Sequence, residues 1–283
     1  MKLSIITINY NNCEGLRKTI KSVVEQTWRE FEYIVIDGGS TDGSVDIIRD
    51  NSNKISYWVS EPDRGIYHAM NKGIDVAKGE YCIFMNSGDV FFNDNVIHNI
   101  MPDLDGTDII CGDIIRDFDV NRKLNSAPSQ ISMAYFYNHT LPHQATFIRC
   151  RIMKKFRYDE SYKIVSDWKF FIETLVLNQC TYKRIYSIIA NFDVQGISST
   201  NIELMVKENQ SVLTSMFPQL VLMDYEKFVV GISWEDKLYI DIKHSSFHKI
   251  LYTINVLIIR IGSMFKRNSF WIKKYPIRFP KNQ

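Results

Sequence analysis

Tyr81-Cys-Ile-Phe-Met-Asn-Ser-Gly-Asp-Val-Phe-Phe92 is the stretch on which the reading of the fold turns. Its first five residues, Tyr81 to Met85, are an unbroken apolar run of strand length, the pattern of a strand buried on both faces in a helix-covered parallel sheet. The chemistry then switches to Asn86-Ser-Gly-Asp89 and turns apolar again at Val90. In open α/β sheets ligands bind in the crevice beyond the carboxyl ends of the strands. A short polar turn there, with Gly88 permitting close backbone approach and Asp89 supplying a carboxylate, suits a phosphate-bound divalent cation. An ordinary turn with a capping Asp is the alternative reading of the same residues.

The chain on either side supplies the sheet. Residues 3–9 form an apolar strand ending in Asn9-Tyr-Asn-Asn12, and Leu16, Ile20, Val23, Val24 and Thr27 recur at helical spacing over 13–27. A second strand, Phe31 to Ile36, stops at Asp37-Gly-Gly-Ser-Thr-Asp-Gly43, which opens a helix with Ser40 or Asp42 as its cap. A third, Ile55 to Val59, leads into Ser60-Glu-Pro-Asp-Arg-Gly65 and a helix carrying Ile66, Met70, Ile74 and Ala77 on one face, ending at Gly79. This alternation predicts a parallel sheet with right-handed crossovers, its polar clusters aligned along one edge. Further on, Ile109–Ile115, Phe147–Arg149 and Ile185–Asn191 read as strands. A helix starts near Ser166 or Asp167, one of which is its expected cap, and another covers 202–217.

With 283 residues, 45% hydrophobic and 23% charged, the chain is ordinary for a globular protein and holds a sizeable core. Its five cysteines (13, 82, 111, 150, 180) are scattered without CxxC pairing, which predicts neither a zinc site nor disulfides and fits a reducing cytoplasm. Polar residues follow the N-terminus too soon for a signal peptide, and no run reaches the roughly 18–20 apolar residues of a membrane span. The net charge of +2 hides an asymmetry: nine Lys or Arg and no acid follow Asp241, leaving residues 1–241 at −7. In this tail Ile250, Ile254, Leu257, Ile258, Ile261 and Phe265 share a helical face, with basic residues elsewhere and Phe270, Trp271 and Tyr275 beyond. That predicts an interfacial helix on an anionic membrane surface, with packing on the body or on a second subunit of a homodimer as the alternative. No nucleic-acid partner is expected.

Several residues carry chemistry. Asp37 closes a buried strand, where a carboxylate can bind a base N–H or a ribose hydroxyl, although a turn-forming Asp before Gly38 explains it equally. Neither GxGxxG nor GxxxxGK[ST] occurs, which counts against a dinucleotide dehydrogenase and a P-loop ATPase. Arg64, just before a helix, suits a diphosphate. Asn71 reads either as polar lining of the same cleft or as a surface residue. Asp167, at a helix start and flanked by Trp168, Phe170 and Phe171, reads as a general base in an aromatic-walled pocket or as a plain N-cap. His143 reads as a phosphate or acceptor ligand or as a local backbone partner.

Together these residues resemble the family-2 glycosyltransferases of the GT-A fold, inverting enzymes that use nucleotide-diphosphate sugars. The resemblance covers roughly 1–195 and rests on Ser4-Ile-Ile-Thr-Ile-Asn-Tyr-Asn11, Ser22-Val-Val-Glu-Gln-Thr27, Tyr33-Ile-Val-Ile-Asp-Gly-Gly-Ser-Thr-Asp-Gly43, Glu61-Pro-Asp-Arg-Gly-Ile-Tyr-His-Ala-Met-Asn-Lys-Gly73, Ala77-Lys-Gly-Glu-Tyr81, Asn86-Ser-Gly-Asp89, Leu141-Pro-His-Gln144 and Ser166-Asp-Trp168. It is nearest the branch serving capsule, exopolysaccharide and O-antigen assembly. It implies an α/β fold with a Rossmann-like, mostly parallel sheet flanked by helices. Residues 1–200 would be the GT-A domain, with a nucleotide half at 1–90 and an acceptor half at 91–200; 201–283 would be a helical extension, amphipathic and basic after 243. By position, Thr7, Asn9, Tyr10, Asp37, Arg64, Asn71, Asn86, Ser87 and Gly88 would serve the nucleotide sugar. His143, Gln144 and Trp168 would meet acceptor or phosphate, Asp89 would hold Mg²⁺ or Mn²⁺, and Asp167 would activate the acceptor.

There is one departure. The family's DxD-type motif usually begins with an acid where this chain has Asn86, and Gly88 precedes Asp89, so a single metal carboxylate remains. The resemblance implies transfer of a sugar to a saccharide or lipid-linked saccharide at the cytoplasmic side of the cell envelope. An inactive nucleotide-sugar-binding scaffold is the alternative that Asn86 and Gly88 leave open. A nucleotidyltransferase is disfavoured, because Asn9-Tyr-Asn-Asn12 stands where its triphosphate loop would be.

Overall fold

The structure is a computed structural model describing residues 1–118, 121–193, 201–229, 254 and 256–258. The chain divides into two compact units, Met1–Phe217 and Pro218–Gln283. In the first unit the elements are β1 (Leu3–Asn9), α1 (Cys13–Val24), β2 (Phe31–Asp37), α2 (Ser44–Asp50), β3 (Tyr57–Ser60), α3 (Ile66–Val76), β4 (Tyr81–Phe84), β5 (Val90–Phe91), α4 (Val96–Ile100), β6 (Ile109–Phe118), β7 (Asn121–Asn125), α5 (Met133–Asn138), β8 (Thr146–Arg149), α6 (Cys150–Phe156), α7 (Ser166–Phe171), β9 (Tyr182–Asp193) and α8 (Ile202–Met216). The described part of the second unit contains α9 (Gln219–Val229).

Among the described residues one nine-stranded sheet runs β3-β2-β1-β4-β8-β6-β9-β5, with β7 paired to β6. The first four strands in this order are parallel, as their largely apolar composition and intervening helices predict. Alternate residues of these strands serve two layers. Leu3, Ile5, Tyr33, Val35, Tyr81 and Ile83 pack with Leu16, Ile20 and Val23 of α1. On the other face α3 lies so close that a Cβ at Gly73 would fall 2.5 Å from Ile6 Cγ2. Beyond β4 the sheet becomes mixed: β8 is antiparallel to both neighbours, while β6 and β9 run parallel with an irregularity between Cys111 and Ile114.

Register decides which side chains meet. The β1–β2 pairing sets Asn9 beside Asp37, and the β2–β3 pairing sets Asp37 beside Ser60. The polar ends of three strands therefore share one edge, as the alternation predicts. The expectation about cysteines is corrected: Cys82 on β4 is disulfide-bonded to Cys150 at the start of α6. Antiparallel pairing sets Cys82 against Ile148, two residues from its partner, an adjacency that a separation of 68 residues conceals.

Candidate active site

A cleft of about 880 Å³ opens beyond the carboxyl ends of β1, β2 and β4. Its floor is built around Asp37, whose carboxylate is fully buried. Oδ1 accepts from Asn9 Nδ2 (2.7 Å) and Ser40 Oγ (2.6 Å); Oδ2 accepts from Ser60 Oγ (2.6 Å) and the amides of Ser40 (2.9 Å) and Gly39 (3.2 Å). Burial by itself would raise its pKa, but the bonds from Ser40, Ser60 and Asn9 outweigh it and hold the carboxyl below the usual range. The expectation that Asp37 faces a base is thereby corrected: its acceptor positions are filled, and it shapes the loop while Gly38, beside it, lines the cleft. Gly39 adopts φ +81°, the left-handed region that lets this loop fold back on the carboxylate. Ser40 caps no helix, because its hydroxyl belongs to Asp37; Asp42 instead accepts from Ser44 N (3.1 Å) and Cys13 N (2.7 Å), joining the starts of α2 and α1.

The turn after β4 is anchored from the other side. Ser87 Oγ donates to Asn9 Oδ1 (2.6 Å), and Asn12, whose Oδ1 caps α1 at Gly15 N, donates through Nδ2 to the Ser87 carbonyl (3.2 Å). Thr19 Oγ1 accepts from Gly88 N (3.0 Å) and donates to the Asp89 carbonyl (2.7 Å). Gly88 has φ +106°, so the reversal at this point favours glycine. Asp89 lines the cleft and is 4% exposed. Asn86 Oδ1, on the same turn, is buried without a hydrogen-bond partner. No group of three or more His, Cys, Asp or Glu converges among the described residues. One carboxylate with a spare amide oxygen fits a hard cation that takes its other ligands from water and phosphates.

Asp167 faces this turn across the cleft. It is the second residue of α7, whose N-cap is Val165 without a side-chain cap bond, so the capping role expected of Ser166 or Asp167 is not observed. Ser166 Oγ instead accepts from Asp159 N (2.6 Å). Asp167 Oδ1 accepts from Tyr67 OH (3.0 Å), and Oδ2 lies 3.6 Å from His143 Nδ1. The Nε2 of His143 in turn lies 3.1 Å from Asn86 Nδ2, so one imidazole spans the two walls. Burial, then the Asp167 charge, push the Tyr67 phenol well above its ordinary pKa, keeping it a donor at neutral pH. The aromatic walls expected around Asp167 are absent: Trp168, Phe170 and Phe171 point into the core, and Trp168 Nε1 donates to the Phe136 carbonyl (2.7 Å).

Of the expected residues, Asn9, Tyr10, Arg64, Asn86, Ser87, Asp89, His143, Gln144 and Asp167 line one cleft. Four others do not. Thr7 is buried in the sheet, bonding the Met85 carbonyl (2.8 Å) and Tyr33 OH (3.1 Å). Asn71 is a buried staple, its amide bonding Tyr158 O (2.9 Å), Tyr158 N (3.0 Å) and Glu160 (3.0 Å). Trp168 and Asp37 are structural as described. Arg64 is exposed at the cleft mouth and pairs with Glu160 (2.6 Å).

The structure adds Tyr67, Lys163 and Asp63 to the lining. Tyr67 escapes notice in the sequence because its spacing to Met70 and Ile74 reads as core periodicity. Asp63 Oδ1 meets His68 Nδ1 (2.8 Å) and Lys72 Nζ (2.6 Å), while its Oδ2 is buried without a partner.

The chain matches the family model for glycosyl transferase family 2 over residues 4–161. It is 33% identical over 205 residues to an uncharacterized glycosyltransferase of Mycobacterium tuberculosis, covering 70% of this chain and 77% of that protein. Among solved structures, S. aureus TarS superposes with a TM-score of 0.61 at 18% identity, covering 81% of this chain but only 43% of TarS. TarS residues 1–349 in complex with UDP-GlcNAc give a TM-score of 0.60 at 17% identity, covering 81% of this chain and 70% of that one. The mannosyltransferase PcManGT from Pyrobaculum calidifontis, in complex with GDP-Man and Mn²⁺, gives 0.57 at 13%, covering 84% and 70%. The sheet described above is thus the GT-A fold, mixed beyond β4. With a family model matched over more than half the chain and a relative one-third identical across most of its length, this protein belongs to glycosyl transferase family 2.

Proposed function

We propose that the protein transfers a sugar, with inversion, from a nucleotide-diphosphate sugar to a hydroxyl of a saccharide or lipid-linked saccharide in surface polysaccharide synthesis. The observation that carries this reading is the Asp167 carboxylate, held by Tyr67 and approached by His143, facing the Asn86–Asp89 turn across one cleft. Asp167 takes the proton of the acceptor hydroxyl. The acceptor oxygen bonds to the anomeric carbon as the bond to the diphosphate breaks on the opposite face, and that electron pair leaves with the nucleoside diphosphate. Arg64 and Lys163 bring positive charge to a cleft where negative charge develops on the leaving group. A bound divalent cation, with Asp89 as its protein carboxylate, would neutralise part of the same charge. The nucleotide-sugar complexes of TarS and PcManGT support the donor class, and the Mn²⁺ of the latter supports the cation.

Nearly all of 243–283, on which the membrane expectation rests, lies outside the described residues. Of its expected apolar face, Ile254, Leu257 and Ile258 are described and exposed. No helix among the described residues is long and apolar enough to cross a membrane.

The test is Asp167→Asn, assayed with UDP-GlcNAc, UDP-glucose, GDP-mannose and dTDP-rhamnose. Turnover of the donor used by the wild type should fall by about 10³-fold or more, within the range for loss of a general base. Calorimetric affinity for its nucleoside diphosphate should stay within about twofold, below 0.5 kcal/mol. Retained turnover, or loss of nucleotide binding with it, would sink the role assigned to Asp167. A wild type that binds donor but turns none over would favour the scaffold.

A further inference from the structure

We propose that Glu208, on α8, is a positioning residue for Asp167, acting through the backbone of the loop that carries the cleft wall; this rests on the role of Asp167 argued above. Helix α8 lies beyond residues 4–161, the part matched by the family model. Glu208 is 9% exposed, although it is a charged side chain on a helix whose neighbouring positions are mostly solvent-facing. A carboxylate is kept out of water only where hydrogen bonds replace its hydration. Here its two oxygens are divided between consecutive backbone amides: Oε1 accepts from Lys163 N (2.9 Å) and Oε2 from Ile164 N (3.0 Å). Such a two-pronged, charge-assisted grip fixes the plane and position of the peptide it holds.

The residue held at its amide reaches the base through its carbonyl. The Ile164 carbonyl accepts from Tyr67 OH at 2.5 Å, and that hydroxyl is also 3.0 Å from Asp167 Oδ1. The single phenol proton is thus shared between a carbonyl and a carboxylate. The carbonyl stays in place because the amide of its own residue is tied to Glu208. Two residues separate Ile164 from Asp167, so the grip also sets how α7 begins. Lys163, held by its amide, lines the cleft. Other ties of the loop include Asn71 to Tyr158 and Glu160, Arg64 to Glu160, and Ser166 and Lys169 to Asp159. Glu208 is the tie among the described residues that comes from α8.

The consequence is specific. Without the grip, the backbone at 163–164 relaxes, the Ile164 carbonyl no longer fixes the phenol, and the position of Tyr67 against Asp167 is lost. A displacement of about 1 Å at a reacting group costs up to about 100-fold in rate. Asn9, Asp37 and Ser87 are bonded to one another at the other end of the cleft.

The experiment uses the full-length protein as wild type, Glu208→Gln, Glu208→Ala, Tyr67→Phe and the Glu208→Gln/Tyr67→Phe double variant. Amide hydrogen exchange is followed at Lys163 and Ile164, together with hydrolysis of the donor that the wild type turns over among UDP-GlcNAc, UDP-glucose, GDP-mannose and dTDP-rhamnose. The expected result is faster exchange at both amides in Glu208→Gln and a kcat lowered about 10- to 100-fold. Affinity for the nucleoside diphosphate should fall by less than kcat does, through Lys163 alone. The double variant should be little worse than the poorer single one, because both substitutions cut the same chain. Unaltered exchange at the two amides overturns the proposal, as do an unchanged kcat or rate losses that multiply in the double variant. Glu208→Gln is nearly isosteric and keeps the comparison open if Glu208→Ala does not fold. A wild type that hydrolyses no donor counts against the transferase reading, and the exchange result still decides whether Glu208 holds the loop.

Discussion

Replacing Asp37 by Asn tests whether its buried carboxylate, and no other feature of the 37–43 loop, organises the edge of the sheet. An amide keeps one acceptor oxygen and turns the other into a donor. Placed at Oδ1, the new NH₂ faces Asn9 Nδ2 and Ser40 Oγ; placed at Oδ2, it faces the amides of Gly39 and Ser40 and the Ser60 hydroxyl. Hydroxyls can turn away, but in either orientation at least one fixed N–H is left without its acceptor. Losing two charge-assisted bonds at about 1.5–3 kcal/mol each gives an expected destabilisation of about 3–6 kcal/mol. For a chain of this size that is a fall in Tm of roughly 10 °C, at about 2–4 °C per kcal/mol. The assay is thermal unfolding by circular dichroism from pH 7 downward. The native carboxyl titrates below its ordinary value, so its stabilising contribution is complete above the unfolded pKa of about 3.9 and is lost as pH falls further through the native value. The gap between wild type and variant should therefore hold from pH 7 to about pH 5 and close below about pH 4. A Tm within about 2 °C of wild type at pH 7, equivalent to no more than about 1 kcal/mol, or a gap that persists into acid, would refute the argument.

Asp89→Asn should remove the difference between nucleoside-diphosphate binding in Mn²⁺ and in EDTA, with at least about a tenfold loss in Mn²⁺, or 1.4 kcal/mol by calorimetry; a Mn²⁺ effect that survives the substitution would exclude Asp89 as the cation's carboxylate. Gly79→Ala would place a Cβ 2.5 Å from Ser4 N and 2.7 Å from Leu3 C, backbone atoms of the central strand β1. A loss of about 1–3 kcal/mol is expected in denaturant unfolding, and a neutral result would mean that β1 can shift. Removal of residues 243–283 should cut partition onto vesicles containing anionic lipid while leaving donor hydrolysis intact; equal partition of the shortened protein would refute the membrane role of the tail.

How far the sequence carries can be judged residue by residue. The apolar runs of β1, β2 and β4, the helical spacing of Leu16, Ile20 and Val23, and the glycine-rich turns are local patterns. They predicted the strand–helix alternation and the shared polar edge without knowledge of any contact. The cleft residues Asn9, Arg64, Asn86, Asp89, His143 and Asp167 could be read because they fall where strands end or helices begin. Thr7, Asn71 and Trp168 were misassigned for one physical reason: a polar atom in a motif looks the same whether it faces ligand or core, and only the packing of the neighbouring element settles which. Asp37 went the same way, since its five donor groups, on four residues, come from three separate strand ends or loops.

What the amino-acid sequence by itself determined was the periodic part of the molecule, because strand and helix signals are written within a few residues of each other. The tertiary structure alone decided the pairings across long separations: Cys82 with Cys150, Tyr67 with Asp167, Glu208 with the amides of Lys163 and Ile164. Those depend on strand order and register, which bring together groups 44 to 100 residues apart and orient them at angles that no local pattern encodes.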